Sequence, residues 1–300
     1  MKKNNNTENF RSFWVKYDNY ELVDIEDTQY ITPTEDSKVK LYDPFDYADD
    51  ILVDILTIGR MVANNKFDSA PSNILTFAKK YGLLGHLTYL PLNENFLMSD
   101  KVYLTPDDAM VLDEIMDTEK YVNLFIMKHK KQKINITRQK DNSTTLTIEN
   151  EVNPIVGIDR PQEYAIVYSR VYAETIISFL IYAHKLYSTF RALEKYNKEN
   201  NEYTKKQFLS TIKSFQANKI ACKILVGDNE DDLPVLEWNF NSLRLAIDTI
   251  FALNATNEKK TVKLCKHCEK PFSSDNLKSE YCSPQCRNRA NVYKSRAKNK

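Results

Sequence analysis

A chain of 300 residues is long enough for one large core or two smaller ones, and at 42% hydrophobic and 28% charged it has the balance of a folded, water-soluble protein. Its five glycines, Gly59, Gly82, Gly85, Gly157 and Gly227, compose neither a P-loop nor a dinucleotide fingerprint, which excludes those phosphate cradles. The net charge of +1 conceals a split: residues 261–300 carry ten Lys or Arg against three Asp or Glu, a net of +7, and leave −6 on residues 1–260.

The amino terminus, MKKNNNTENF, has basic residues with no apolar stretch behind them, so it does not read as a secretory signal. The first forty residues mix Phe13-Trp-Val-Lys-Tyr and Glu21-Leu-Val-Asp-Ile with turn residues, a pattern of short strands. From Phe45 to Ala63 the positions Ile51, Leu52, Ile55, Leu56, Ile58 and Met61 recur at helical spacing. Pro71 opens a second helix that Gly82 stops just past Tyr81, and Glu119–Lys130 reads as a third. Lys133–Thr137 and Ser143–Ile148 alternate around a polar turn and predict a β-hairpin.

Pro161 leads into the longest predicted helix, reaching Tyr196. Its apolar stripe is Tyr168, Tyr172, Ile176, Phe179, Ala183, Leu186, Phe190 and Leu193, close to heptad spacing. The stripe reads as a central core helix, with the seam of a homodimer as the alternative. The most apolar part, Ile176–Ala183, is far shorter than the roughly 20 residues a bilayer requires, so no membrane association and a cytoplasmic location are expected. After a polar break at Asn197–Asn201 come a helix over Thr204–Phe215 and strands over Ile220–Val226 and Pro234–Phe240. Asn241 or Ser242 then caps a helix with the apolar face Leu243, Ala246, Ile247, Ile250 and Leu253. The expected fold is mainly α with small β elements, an α+β arrangement. It divides into a large helical domain over residues 1–260, suited to sensing or dimerisation, and a small module over residues 261–300, joined by a hinge at Asn254–Thr261.

Four of the five cysteines fall in that module, as Cys265-x2-Cys268, thirteen residues, then Cys282-x3-Cys286. In a reducing compartment two close pairs point to metal rather than disulfides. A C-x2-C turn brings two thiolates to one ion, and four sulfurs close a tetrahedron with no site for water, which predicts one structural Zn2+. Pro271–Phe272 and Ser279–Cys282 read as the two strands of a hairpin. Ser283 is a helix N-cap and Pro284 a first helical residue. Knuckle, hairpin and ligand-bearing helix are the order of a treble clef. Phe272 and Tyr281 read as its miniature core, and His267 as exposed or outside the ligand set. The lone Cys222 reads as a buried structural thiol.

Past Pro284 the chain becomes a basic helix. Cys286, Tyr293 and Ala297 share the side expected to face the module, while Arg287, Asn291, Lys294 and Lys298 share an exposed side flanked by Arg289 and Arg296. Arginines and amides along a helix reach phosphates and base edges, so nucleic acid is the expected partner, DNA ahead of RNA.

Tyr281-Cys-Ser-Pro-Gln-Cys-Arg-Asn-Arg-Ala resembles the CGNR zinc finger at the carboxyl end of bacterial transcription regulators, with Cys286, Asn288 and Arg289 on the motif and Arg287 in place of its glycine. The resemblance implies DNA binding and transcription regulation through the finger. Cys265-Lys-His-Cys-Glu-Lys-Pro-Phe and Asn291-Val-Tyr-Lys-Ser-Arg are similar to a family of Gram-positive bacterial proteins that carries no assigned activity.

Two other classes compete. In the first, the zinc is purely structural and the protein is a protein-interaction or RNA-associated adaptor, because fold does not decide among the uses of a treble clef. The second is an enzyme. His86, His129, His184 and His267 belong to no nucleophile or open-metal motif, and His184 reads as an interior or boundary residue, so no catalytic activity is expected.

Overall fold

Aromatic and β-branched residues favour pleated, half-buried backbone, and the amino-terminal region is built of short strands. The computed structural model describes residues 10–12, 14–25, 27–34, 37–85, 87–88, 101–104, 114–117, 134–138, 144–148, 151–152, 173–212, 221–225, 235–240, 242–257, 261–276 and 278–298. It opens with β1 (Phe10–Ser12), β2 (Trp14–Tyr17), β3 (Tyr20–Ile25), β4 (Thr28–Pro33) and β5 (Val39–Tyr42). β3 and β4 pair antiparallel from Tyr20 opposite Pro33 to Ile25 opposite Thr28, and β2 pairs antiparallel with β5. The Asp43 carboxylate accepts the Phe45 N–H and the Ser12 N–H and hydroxyl, starting a 3-10 turn at Pro44–Tyr47 and fastening β1 to it.

That turn runs into α1 (Ala48–Ala63), which buries Ile51, Leu52, Ile55, Leu56 and Ile58 on the face its spacing predicts. α2 (Ala70–Tyr81) has Pro71 in its first turn, where a missing N–H costs no hydrogen bond. It ends on Gly82, whose φ of 86° suits glycine and whose N–H reaches the Ala78 carbonyl. β6 (Leu87–Thr88), β7 (Lys101–Leu104) and β8 (Glu114–Asp117) make one small antiparallel sheet. β9 (Ile134–Arg138), β10 (Thr144–Ile148) and β11 (Glu151–Val152) make another, containing the predicted hairpin. The helix expected over Glu119–Lys130 lies outside the described residues.

The long helix begins later than its periodicity suggests. Residues 161–172, with Tyr168 and Tyr172, are outside the described ranges, and Glu174–Thr175 form a strand, β12, antiparallel to Tyr30 and Ile31 of β4. α3 (Ile176–Glu199) starts only after it, capped by the Thr175 hydroxyl, which accepts the Ser178 N–H at 3.1 Å. Strand pairing takes the backbone groups a helix would need, and apolar spacing does not register that competition. The wholly buried Glu174 accepts the Leu84 N–H at 2.7 Å, tying the loop after α2 to this strand.

Ile176, Phe179, Ala183, Leu186, Phe190 and Leu193 are all buried within the chain, the core reading of the stripe. α1 lies so close against α3 that a Cβ on Gly59 would sit 2.0 Å from the Ala183 carbonyl oxygen and 2.6 Å from Tyr187 Cβ. No other residue type allows that approach. His184 is exposed on the far side of α3, against the interior or boundary position expected, because the stripe leaves it on the solvent arc.

Asn200 ends α3 in the left-handed conformation, and α4 (Glu202–Ile212) follows. β13 (Ala221–Leu225) and β14 (Val235–Asn239) are the two predicted strands; they pair antiparallel, and β1 joins β14 in parallel, closing the amino-terminal strand onto the late chain. Cys222 lies in β13, its side chain outside the described set. Ser242 caps α5 (Leu243–Thr256) by accepting the Leu245 N–H. Leu243, Ala246, Ile247 and Ile250 are buried as expected, but Leu253 is 56% exposed. At about 100° per residue Leu253 falls near the rim of the buried arc. Phe251, well inside that arc, is covered by Phe190.

The chain closes with β15 (Val262–Leu264), β16 (Pro271–Ser273) and α6 (Pro284–Lys298). Observed helices with small antiparallel sheets make this an α+β fold. Among the described residues no helix is long and apolar enough to cross a membrane. The core is one cluster running from Trp14 to Val262, and each fully buried Ile, Leu or Phe in it contributes about 1.5–3 kcal/mol.

Candidate metal centre

Two residues of opposite preference shape the cysteine turn. Pro271 begins β16, where it gives up a backbone donor, and Glu269 adopts a left-handed φ of 55° that reverses the chain. β15 and β16 pair antiparallel with Lys263 opposite Phe272. The turn between them closes through the Cys265 N–H to the Lys270 carbonyl at 3.0 Å and the Glu269 N–H to the Cys265 carbonyl at 2.8 Å. Cys265 and Cys268 are thus held at the tip of a hairpin. The hairpin partner of β16 differs from the sequence expectation: it is β15, and Ser279–Cys282 form no strand. They are instead held by single bonds, from the Lys266 N–H to the Glu280 carbonyl and from the Ser279 N–H to the Asn276 carbonyl.

The other two ligand positions flank a helix start. The Ser283 hydroxyl accepts the Cys286 N–H at 3.2 Å and its carbonyl accepts the Arg287 N–H, so Ser283 is the N-cap its residue type suggests. Cys282 immediately precedes the cap and Cys286 lies in the first turn. The four sulfurs lie within 4.8 Å of one another and form no disulfide. Three of the separations are Cys282–Cys286 at 3.5 Å, Cys268–Cys282 at 3.7 Å and Cys268–Cys286 at 3.7 Å. Sulfurs about 2.3 Å from a central tetrahedral ion stand about 3.8 Å apart, so the four residues have the spacing of a four-thiolate cage and can hold a metal ion.

The thiols are unequal. Burial pushes the Cys265 thiol up, but the backbone N–H groups of Cys282, Cys268 and His267 outweigh it and hold it at about 6. Cys268 is pushed up by burial, and Cys282 is pushed up to about 12 by burial and by the neighbouring thiols of Cys286, Cys268 and Cys265. One thiolate at this spot therefore discourages the next, a repulsion that a central cation would remove.

α1 braces the module at both ends. The Asp49 carboxylate in its first turn accepts the Thr261 hydroxyl at 2.8 Å and the Ser273 hydroxyl at 2.9 Å. Arg60 in its last turn donates to the Cys268 carbonyl at 2.6 Å. From α5, Asn254 Oδ1 accepts the Val262 N–H at 3.3 Å, and Val262 is wholly buried. Asn254, placed in the hinge from sequence, belongs to the last turns of α5; residues 258–260 lie outside the described set. Sequence reasoning missed Asp49 and Arg60 because nothing local distinguishes a carboxylate or guanidinium on a helix that meets a partner some 200 residues away. It missed Asn254, whose partner is only eight residues on, because that stretch read as a hinge rather than as the end of a helix.

α6 leaves the module almost bare. Arg287, Arg289, Asn291, Lys294 and Arg296 are exposed, and Lys298 lies at the helix end with its side chain outside the described set. The expected inward side is only partly used. Ala297 is exposed. Tyr293 is 60% exposed, yet its ring stacks on His267 of the knuckle at 5.6 Å. That stack gives His267 a role outside the ligand set. Phe272 is buried and Tyr281 half-buried, as a small core requires. A cleft of about 420 Å³ opens beside the α6 start, with Lys278 and Arg287 among its lining residues.

The chain matches no protein-family model, no curated protein and no solved structure.

Proposed function

We propose that this chain is a zinc-containing nucleic-acid-binding protein of the bacterial regulator type, acting through α6. The observation that carries the proposal is the four-cysteine cage leading, within one turn, into a solvent-exposed helix with Arg287, Arg289, Lys294 and Arg296. Four thiolates select a soft, tetrahedral ion and leave no open coordination site, so Zn2+ held by Cys265, Cys268, Cys282 and Cys286 would be structural. Zn2+ with four thiolates adds a net −2 to the +7 of residues 261–300 and leaves the module cationic at about +5. A rigid cationic helix releases counterions from a polyanion, and Lys278 in the adjoining cleft extends that surface. The likeness of Tyr281–Ala290 to CGNR-type fingers supports DNA over RNA. A cytoplasmic place follows from that reading.

The test joins metal analysis to a salt titration. One zinc per chain is expected, with binding to random duplex DNA that weakens steeply with salt and falls in Arg287→Ala/Arg289→Ala. No binding at low salt would sink the reading.

A second reading treats the module as a structural or protein-docking element, and the braces from Asp49 and Arg60 favour it. One zinc per chain with a protein partner that survives loss of α6 would select it.

A further inference from the structure

At 3.6 residues per turn, successive side chains on α6 advance by about 100°. With Arg287 as origin, Lys294 falls at about −20° and Arg289 and Arg296 near 200° and 180°. The cations therefore form two rows on opposite flanks of the helix, each an i, i+7 pair about 10 Å apart along the axis. The side bearing Cys286 and Tyr293 is occupied by the cysteine cage and by the stack on His267. The remaining arc, between the cation rows and opposite the cage, carries Asn291, Ser295, Asn288 and Val292, all exposed. The outermost face of this basic helix is thus uncharged and made of amides, a hydroxyl and a branched methyl pair.

We infer that α6 enters the major groove of duplex DNA with Asn288, Asn291, Val292 and Ser295 on the base edges, while the Arg287/Lys294 and Arg289/Arg296 rows contact the phosphates of the two strands. This rests on the nucleic-acid reading above and deepens it. A helix with its side chains is about 10–12 Å across and the B-form major groove about 12 Å wide, so cations on opposite flanks meet opposite groove walls. The deep, narrow major groove of A-form RNA does not admit such a helix. Uncharged amides at the groove floor carry sequence information that phosphate contacts do not. Asn pairs bidentately with adenine and an apolar side chain contacts the thymine methyl, so the recognised sites contain A·T pairs at the positions these residues reach. Neither Asn288, Val292 nor Ser295 is a cation, which is why a search for basic residues passes over them.

The experiment uses the full chain loaded with zinc, with metal content and circular dichroism confirming that each variant is folded. Duplexes are selected from a randomised pool. Affinity for the enriched duplex and for its scrambled counterpart is then measured across a salt series. Wild type is expected to prefer the enriched duplex at least tenfold, with A·T pairs in the enriched positions. Asn288→Ala/Asn291→Ala loses most of that preference. Arg289→Ala/Arg296→Ala flattens the salt dependence of log K by about 2, one per lost phosphate contact. Three results overturn the inference while leaving nucleic-acid binding intact: salt-sensitive binding with no enriched sequence, a preference retained in Asn288→Ala/Asn291→Ala, or tighter binding to duplex RNA than to duplex DNA. Absence of salt-sensitive binding to either nucleic acid overturns both readings together.

Discussion

α1 and α6 are both amphiphilic on paper, yet the first is fastened by what it buries and the second by what it starts from. α1 hides Ile51, Leu52, Ile55, Leu56 and Ile58 against α3 and α5, and its glycine lets it touch α3 backbone to backbone. From Asn291 to Ala297 every residue of α6 is exposed, and its attachment is Cys286, the Ser283 cap and the Tyr293–His267 stack. Apolar area stabilises the helical body, whereas the module buries few side chains beyond Val262, Cys265 and Phe272. A short segment can be as ordered as a core helix if metal coordination supplies the free energy that burial does not. It also explains why the exposed helix is free to present all its polar side chains to a ligand.

The largest effect that would break this comparison is metal removal. Structural zinc sites bind with about 10–16 kcal/mol, and that free energy is folding free energy for the segment. A zinc chelator, or Cys282→Ser, should abolish hydrogen-exchange protection over residues 262–273 and 284–298 and leave α1 and α3 protected. Protection lost equally in α1 would mean that the body depends on the module as well.

A smaller effect sharpens the other side. Gly59→Ala places a methyl 2.0 Å from a backbone oxygen of α3, and overpacking of this kind costs typically 1–3 kcal/mol, more where backbone must move. Urea unfolding of the body should shift to lower denaturant while zinc content stays at one per chain. An unchanged midpoint would show that the α1–α3 contact is looser than its geometry indicates.

The smallest expected change lies at the junction. Arg60→Met keeps the apolar stem and removes the donor to the Cys268 carbonyl, a part-buried bond whose freed acceptor can take up water, at a net cost of about 0.5–1.5 kcal/mol. Faster hydrogen exchange in β15 and β16 with an unaltered body midpoint is the expected readout. Zinc affinity unchanged together with unchanged exchange would show that Asp49 and Asn254 suffice to hold the module.

Features set by residue type and by neighbours within about twenty residues were legible in the chain. α1 and α2, the β9–β10 hairpin, the strands β13 and β14, the Ser242 and Ser283 caps and the four cysteines each follow from residue type and spacing along the chain. The same local reasoning extended α3 back to Pro161 and made Ser279–Cys282 a strand. For α3 the pairing of β12 with β4 decided the outcome, and Ser279–Cys282 are held by isolated bonds such as that from the Lys266 N–H to the Glu280 carbonyl. Leu253 was misplaced for a related reason, since periodicity marks a face without saying how far a neighbouring helix covers it, whereas His184 lies outside the apolar stripe and its exposure follows from that spacing.

The α+β class, the ligand spacing and the charge split between body and module follow from residue type and spacing along the chain. Tertiary packing settled that β1 closes in parallel onto β14 and that Asp49 and Arg60 brace the module from the two ends of α1. Those outcomes join residues far apart in the chain, and their pairing is settled by which surfaces fit and which polar groups are satisfied when the whole core closes.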